Sequence, residues 1–170
     1  MKNISFREDI LPLKNVLYRL ALRITMNREE AEDVVQDTML KVWNKRESWT
    51  GIDSIEAYCL AVCRNLAIDK TRKHGNDRLL PEHGEDAAED QAQTPYERMM
   101  LKDRMILVRR IVDTLPEKQR SCLQLRDFEG KSYREIAQVL DISEEQVKVN
   151  IFRARQTVKQ KYKAIDRYGL

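Results

Sequence analysis

Among 170 residues there are three cysteines and two histidines, the residue types from which most metal centres and many nucleophilic sites are built. Cys59 and Cys63 stand four apart, a spacing that on a helix puts both thiols on one face and is open to a metal or a redox pair. Both also fall in the apolar stripe of their segment, where a reduced cysteine serves as a small buried hydrophobe. With Cys122 the count is odd, which closes no disulfide framework and fits a reducing compartment. His74 and His83 lie in polar surroundings without ligand spacing. No nucleophile–base pair, glycine-rich phosphate loop or paired-carboxylate motif can be read. The sequence therefore predicts no catalytic residues, no metal and no cofactor.

What remains is charge. Thirty-one Lys and Arg against 28 Asp and Glu leave a net +3, but the two signs are segregated. Basic residues gather at Arg64, Lys70, Arg72 and Lys73, and again at Lys148, Arg153, Arg155, Lys159, Lys161 and Lys163. Between them, residues 75–94 carry Asp77, Glu82, Glu85, Asp86, Glu89 and Asp90 against Arg78 alone. Two basic segments read as two nucleic-acid contacts or, each taken alone, as solvated amphipathic faces.

The elements that must position these residues are helices. Aromatic content of 6%, five Gly and four Pro disfavour sandwiches and barrels. A capping box pairs Ser, Thr, Asp or Asn with Glu or Gln three residues on. It recurs at Ser5/Glu8, Asn27/Glu30, Asp53/Glu56, Thr94/Glu97, Thr114/Glu117, Ser132/Glu135 and Ser143/Gln146. Each precedes helical apolar spacing, and Pro95 and Pro116 sit in first turns. The predicted helices cover 6–25, 28–46, 54–74, 95–113, 115–128, 133–140 and 144–163. The acidic stretch has little to bury and reads as a linker at 75–94 between helical domains at 1–74 and 95–170. No apolar run is long enough to span a bilayer and the N-terminus is no secretory signal, so no membrane insertion and a cytoplasmic location are expected.

The stretch SYREIAQVLDISEEQVKVNIFRARQTVKQ reads as a helix-turn-helix: a short helix with Ile136, Ala137 and Leu140 inward, a turn through Asp141 and Ile142, and a longer helix capped by Ser143. Asp141 stands where Gly is commonest and must tolerate positive φ. On the second helix Val147, Ile151, Ala154 and Val158 share one arc. The opposite side then carries Val149, Phe152, Arg153 and Gln156, flanked by Gln146 and Lys148. An outward Val and Phe suit thymine methyl groups, and Arg153 suits guanine or phosphate in a major groove. In the second predicted helix Ala31, Val34, Val35, Thr38 and Val42 form the inward stripe. Glu29, Asp33, Gln36 and Leu40 are left outward and Asp37 at the margin, an acidic face with one apolar residue that suits a protein partner or plain solvent.

AEDVVQDTMLKVW followed by SIEAYCLAVCRNLAIDKTRK resembles the second region of the sigma factors of bacterial RNA polymerase, and the C-terminal half resembles their fourth region. The pattern Asp33, Gln36, Asp37 and Trp43, the string Arg64-Asn65 to Ala67-Ile68-Asp69 and the closing Arg153-Ala154-Arg155 carry the likeness. The order, the acidic linker and the short chain resemble the extracytoplasmic-function group of the sigma-70 family. The resemblance implies an all-α, two-domain fold and a dissociable promoter-specificity subunit that binds the clamp helices and flap of core polymerase. It implies polymerase contacts at Asp33, Gln36, Asp37 and Leu40. It also implies promoter-proximal contacts, on double-stranded and melted DNA, at Asn65 and the loop Glu47 to Asp53. Trp49 in that loop, with Arg64, Lys70, Arg72 and Lys73, would supply a stacking platform and a cationic groove, or Trp49 packs over a helix end. Upstream-element contacts would come from Gln146, Lys148, Val149, Phe152, Arg153 and Arg155. Glu145-Gln146 and Asn150 depart from the Gly-Thr and Arg common in the family. An anti-sigma partner is also implied. The rival reading is a stand-alone helix-turn-helix activator or repressor whose N-terminal helices dimerise.

Overall fold

The computed structural model describes residues 4–49, 51–74 and 94–167. Among these residues there is no strand, and the chain is all-α as expected. The first predicted helix is broken into three pieces: a π-helical turn Phe6–Ile10, a 3-10 turn Leu11–Leu13 and α1 Lys14–Thr25. Pro12 is the cause, because it brings no N–H and its ring clashes with a preceding helical turn. Asn27 then caps α2 (Arg28–Asn44), its side chain accepting the Glu30 N–H at 3.0 Å. A 3-10 turn Arg46–Trp49 leads to α3 (Ile55–His74). The cap of α3 is Ser54 rather than the expected Asp53, with the Ala57 N–H donating to Ser54 Oγ at 3.2 Å.

In the second half, α4 (Pro95–Asp113) opens with a complete Thr94/Glu97 box. The expected Thr114 cap on the next helix is absent. Thr114 instead ends α4, donating its hydroxyl to Ile111 O at 2.6 Å, and α5 (Glu117–Leu123) starts at Pro116 with no side-chain cap. A π-helical turn Gln124–Phe128 prolongs α5. Ser132/Glu135 and Ser143/Gln146 are reciprocal boxes on α6 (Tyr133–Leu140) and α7 (Glu144–Arg167). Asp141 takes the left-handed conformation required of it, φ 54 and ψ 50.

Helices α1, α2 and α3 pack pairwise around Leu17, Leu20, Ile24, Val34, Val42, Leu60 and Cys63. Helices α4 to α7 gather around α7. The two halves do not keep their cores apart. Helix α3 packs on α6 and α1 on α5, and one cluster of buried residues runs from the N-terminal helices through Cys122, Leu125, Ile136, Val139, Leu140, Val147 and Ile151. Only a smaller cluster of Val112, Leu115, Leu123 and Ala154 belongs to the second half alone.

Charge pairs join the halves around this shared core. Arg23 donates to Asp113 and to Gln124, each at 3.0 Å. Arg64 grips Glu117 with two bonds of 2.8 and 2.7 Å. Arg19 makes a similar fork on Glu129, and Lys131 pairs with Glu56. No helix among the described residues is long and apolar enough to cross a membrane.

Candidate polymerase and nucleic-acid interfaces

The inward stripe of α2 is buried at every expected position, which turns the other side to solvent. Asp33, Gln36 and Asp37 are exposed there, with Leu40 at 61% exposure beside them. Lys70 Nζ, on α3, donates to Asp33 at 3.4 Å, so the acidic face of α2 adjoins the basic end of α3. Asn65, Arg72 and Lys73 are exposed on α3.

Two residues of this region, Trp49 and Arg64, are turned inward, and for Trp49 it is the packing over a helix end that is found. Trp49 is 9% exposed, and its indole N–H donates to Val42 O at 3.1 Å, across the end of α2. A buried indole needs a partner for its N–H, and this one finds it in the protein, so Trp49 offers no open face to a base. Its neighbour Trp43 is the exposed aromatic: its ring meets Phe6 edge-on at 5.4 Å and Trp49 at 6.3 Å, with the Arg46 guanidinium 4.7 Å from its centroid. Arg64 is 8% exposed. Its guanidinium is held by Glu117, which also accepts the Ser121 hydroxyl at 2.8 Å. In this arrangement it faces the second half of the chain rather than solvent.

On α7, Val147, Ile151 and Ala154 are buried and Val158 is half-buried, as the 100° spacing requires. The outward face carries Gln146, Lys148, Arg153, Gln156 and two exposed apolar side chains, Val149 (45%) and Phe152 (61%). Arg155 has a partner within the chain. Although exposed, it is forked onto Asp127 at 3.0 and 2.5 Å, and this hydrogen bonding raises its pKa further. The Asn150 amide donates back to Gln146 O at 2.8 Å rather than pointing outward. Beside α7, a groove of about 490 Å³ is lined by Val108, Leu123, Phe128, Val158 and Tyr162.

The thiols do not form a site. Cys59, Cys63 and Cys122 are free and buried, and burial pushes each thiol up to about 12. A thiolate is the reactive and metal-binding form, and these remain protonated at neutral pH. No group of three metal-ligating side chains occurs among the described residues. His83 and most of the acidic stretch, 75–93, lie outside those residues, as does the side chain of His74.

Sequence reasoning missed acceptors of the inter-half contacts: Asp113, Glu117, Gln124 and Glu129. A signal for them exists in α3. Buried Ala57, Cys59, Leu60, Cys63 and Ala67, with half-buried Ile55, Tyr58, Val62, Leu66 and Ile68, surround that helix on nearly every side. A helix apolar all round has neighbours all round, more than α1 and α2 provide.

Comparison with known proteins agrees with this layout. Residues 10–76 match the family Sigma-70 region 2, and residues 105–158 match Sigma-70, region 4. The chain is 30% identical over 161 residues to the RNA polymerase sigma-H factor of Pseudomonas aeruginosa, covering 88% of this chain and 83% of that protein. It is 27% identical over 149 residues to the ECF RNA polymerase sigma factor SigM of Bacillus subtilis, covering 87% and 89%. Among solved structures, the sigma factor RpoE in complex with the anti-sigma factor NepR, from Bartonella quintana, superposes with a TM-score of 0.71. That match has 22% identity and covers 95% of this chain and 98% of the other. CnrH, solved with the cytosolic domain of CnrY, gives 0.66 at 20% identity over 94% and 88%. With both sigma regions matched in order, and a curated sigma factor related over most of both lengths, the chain belongs to the extracytoplasmic-function group of the sigma-70 family and is an RNA polymerase sigma factor.

Proposed function

We propose that this sigma factor divides its work between two outward faces. The outer side of α2, with Asp33, Gln36, Asp37 and Leu40, docks on the clamp helices of core polymerase. Asn65, Lys70, Arg72 and Lys73 meet the promoter-proximal element as it opens. The outer side of α7, with Gln146, Lys148, Val149, Phe152 and Arg153, reads the upstream element in the major groove. The apolar groove beside α7 takes the polymerase flap. The chain itself performs no chemistry, and an anti-sigma partner covers the same apolar anchors when transcription is held silent.

The observation that carries this reading is α7. Val147, Ile151 and Ala154 are buried on its inner side, whereas Val149 and Phe152 project into solvent beside Arg153. Two such side chains have no packing reason to be there. We place the domains at 1–74 and 95–170 with the acidic stretch 75–94 as their linker, a division supported by matches to the two sigma regions at 10–76 and 105–158.

The test is transcription from a fragmented genome by purified core polymerase with and without this chain. Initiation at defined sites that depend on it supports the reading. Binding to DNA that only blocks transcription by other holoenzymes supports the stand-alone regulator instead.

A further inference from the structure

Two rows of side chains run together along the last turns of α7. Val158 and Tyr162 form one row and are half-buried; Arg155, Lys159 and Lys163 form the other and are exposed. Within each row the residues are four apart, so they stack on one face of the helix. All five line the groove beside α7, together with Val108 of α4, Leu123 of α5 and Phe128 of the π-helical turn. The groove is therefore an apolar trough with a cationic edge.

The charges of that edge are not equivalent. Arg155 is forked onto Asp127 at 3.0 and 2.5 Å, and Asp127 is the one carboxylate among the described lining residues, so these two opposite charges match each other. Lys161 lies outside the lining and donates to Thr114 Oγ1 at 2.8 Å. Lys159 and Lys163 have no hydrogen-bond or ion-pair partner among the described residues, and both border the same groove. One helical turn separates them, about 6 Å along the axis, and their flexible stems let both ammonium groups converge on one anion. A purely apolar partner would leave the lysines unused, and a simple inorganic anion would leave the trough wet. A molecule that uses both has an aliphatic body and an anionic head. The volume of about 490 Å³ is that of a small-molecule cleft.

We propose that this groove binds a free long-chain aliphatic carboxylate, with its chain on Val108, Leu123, Val158 and Tyr162 and its head group held by Lys159 and Lys163. Burial of the chain supplies the affinity, each methylene withdrawn from water adding about four-fold, and the two ammonium groups select the charge and direction of the molecule. An acid so bound closes the groove to the apolar helix of a protein partner, the polymerase flap included. The site does not depend on the assignment of the flap to this groove, and neither does its test.

The experiment titrates the full chain with dodecanoate, kept below its micelle-forming concentration, by calorimetry, and locates the ligand from amide shifts in nitrogen-15 NMR spectra. One molecule is expected to bind, with shifts concentrated at Val108, Leu123, Phe128 and residues 155–163. Decanoate, two methylenes shorter, should bind about fifteen-fold more weakly. Lys159→Met with Lys163→Met should weaken dodecanoate about ten-fold, about three-fold for each exposed charge. Both positions are exposed, so the circular dichroism of this variant should match that of the parent. Dodecyltrimethylammonium, with the same chain and the opposite head, should bind the parent more weakly than dodecanoate. Equal affinity for the two heads, or dodecanoate affinity unchanged in the lysine variant, overturns the proposal, because the groove is then an apolar surface without selection. Shifts confined to another patch, such as Val149 and Phe152, also overturn it. So does capture of the chain by phosphatidylglycerol vesicles without binding of free dodecanoate, which points to a membrane surface instead.

Discussion

Removing Glu117 tests how the two halves are held. In Glu117→Ala, Arg64 loses both of its bonds of 2.8 and 2.7 Å and Ser121 loses its acceptor, while the apolar surroundings stay. Breaking a buried ion pair by deleting one partner costs about 3–5 kcal/mol. Glu117 keeps 25% of its side-chain exposure and Arg64 10%, so solvent screening lowers the figure to about 2 kcal/mol. That is about a 30-fold shift from the packed arrangement of the halves toward a separated one, in which Arg64 regains water. Energy transfer between dyes on Lys41→Cys and Gln160→Cys reads the shift, because both positions are exposed and the three native thiols are buried and protonated. Transfer should fall in Glu117→Ala and in Arg64→Ala, and the exchange Arg64→Glu with Glu117→Arg should recover part of it. Identical transfer in the parent and Glu117→Ala would refute the reasoning.

Three other outcomes are expected. Asp33→Lys with Gln36→Arg should abolish binding to core polymerase, since reversed charge at an interface costs several kcal/mol, while circular dichroism and melting stay unchanged; retained affinity in a competition assay removes α2 from the polymerase interface. Asp141→Gly should stabilise the chain by about 0.5–1 kcal/mol, because Asp141 is held at φ 54, and a chemical denaturation midpoint that does not rise contradicts this. The thiols, raised from 9.0 to about 12 by burial, bind protons more tightly in the folded than in the unfolded chain. Their contribution is thus complete below about pH 9 and lost as pH climbs toward about 12; a thiol reagent at pH 8 should count none in the folded chain and three in urea.

The parts legible in the sequence are those governed by neighbours along the chain. The stripes of α2 and α7 follow from a spacing of 3.6 residues, and they leave Leu40, Val149 and Phe152 outward by simple geometry. Asp141 follows from the need for a left-handed residue between two helices. Contacts distant in sequence are another matter. Arg64 and Glu117 are 53 residues apart and Arg23 and Asp113 are 90 apart, and each alone looks like an ordinary surface charge. Arg64 lies with Lys70, Arg72 and Lys73 on one basic segment, although its position on α3 turns it toward α5. Trp49 stands in a loop flanked by charges, which suggests an open ring, while Val42 O, seven residues back, takes its N–H. Val139 lies in the same shared cluster as Ile136 and Leu140, a contact with the N-terminal helices that the pattern of α6 alone does not show.

The interface between the halves combines two kinds of contact with different consequences. Its apolar part, including Leu125, Ile136, Val139 and Leu140, is non-directional, and its loss on opening scales with the area returned to water. Its ion pairs contribute little net attraction, since desolvation offsets most of the Coulomb term. They are directional, however: a forked Arg64–Glu117 pair and Arg23 shared by Asp113 and Gln124 accept one relative placement of the halves and penalise others. The apolar cluster thus opposes separation, and the charges select the register. Because the outer faces of α2 and α7 both remain in solvent, closure masks neither. What it fixes is the distance and angle between them, so a partner or promoter that requires another spacing must displace the apolar cluster and break those pairs together.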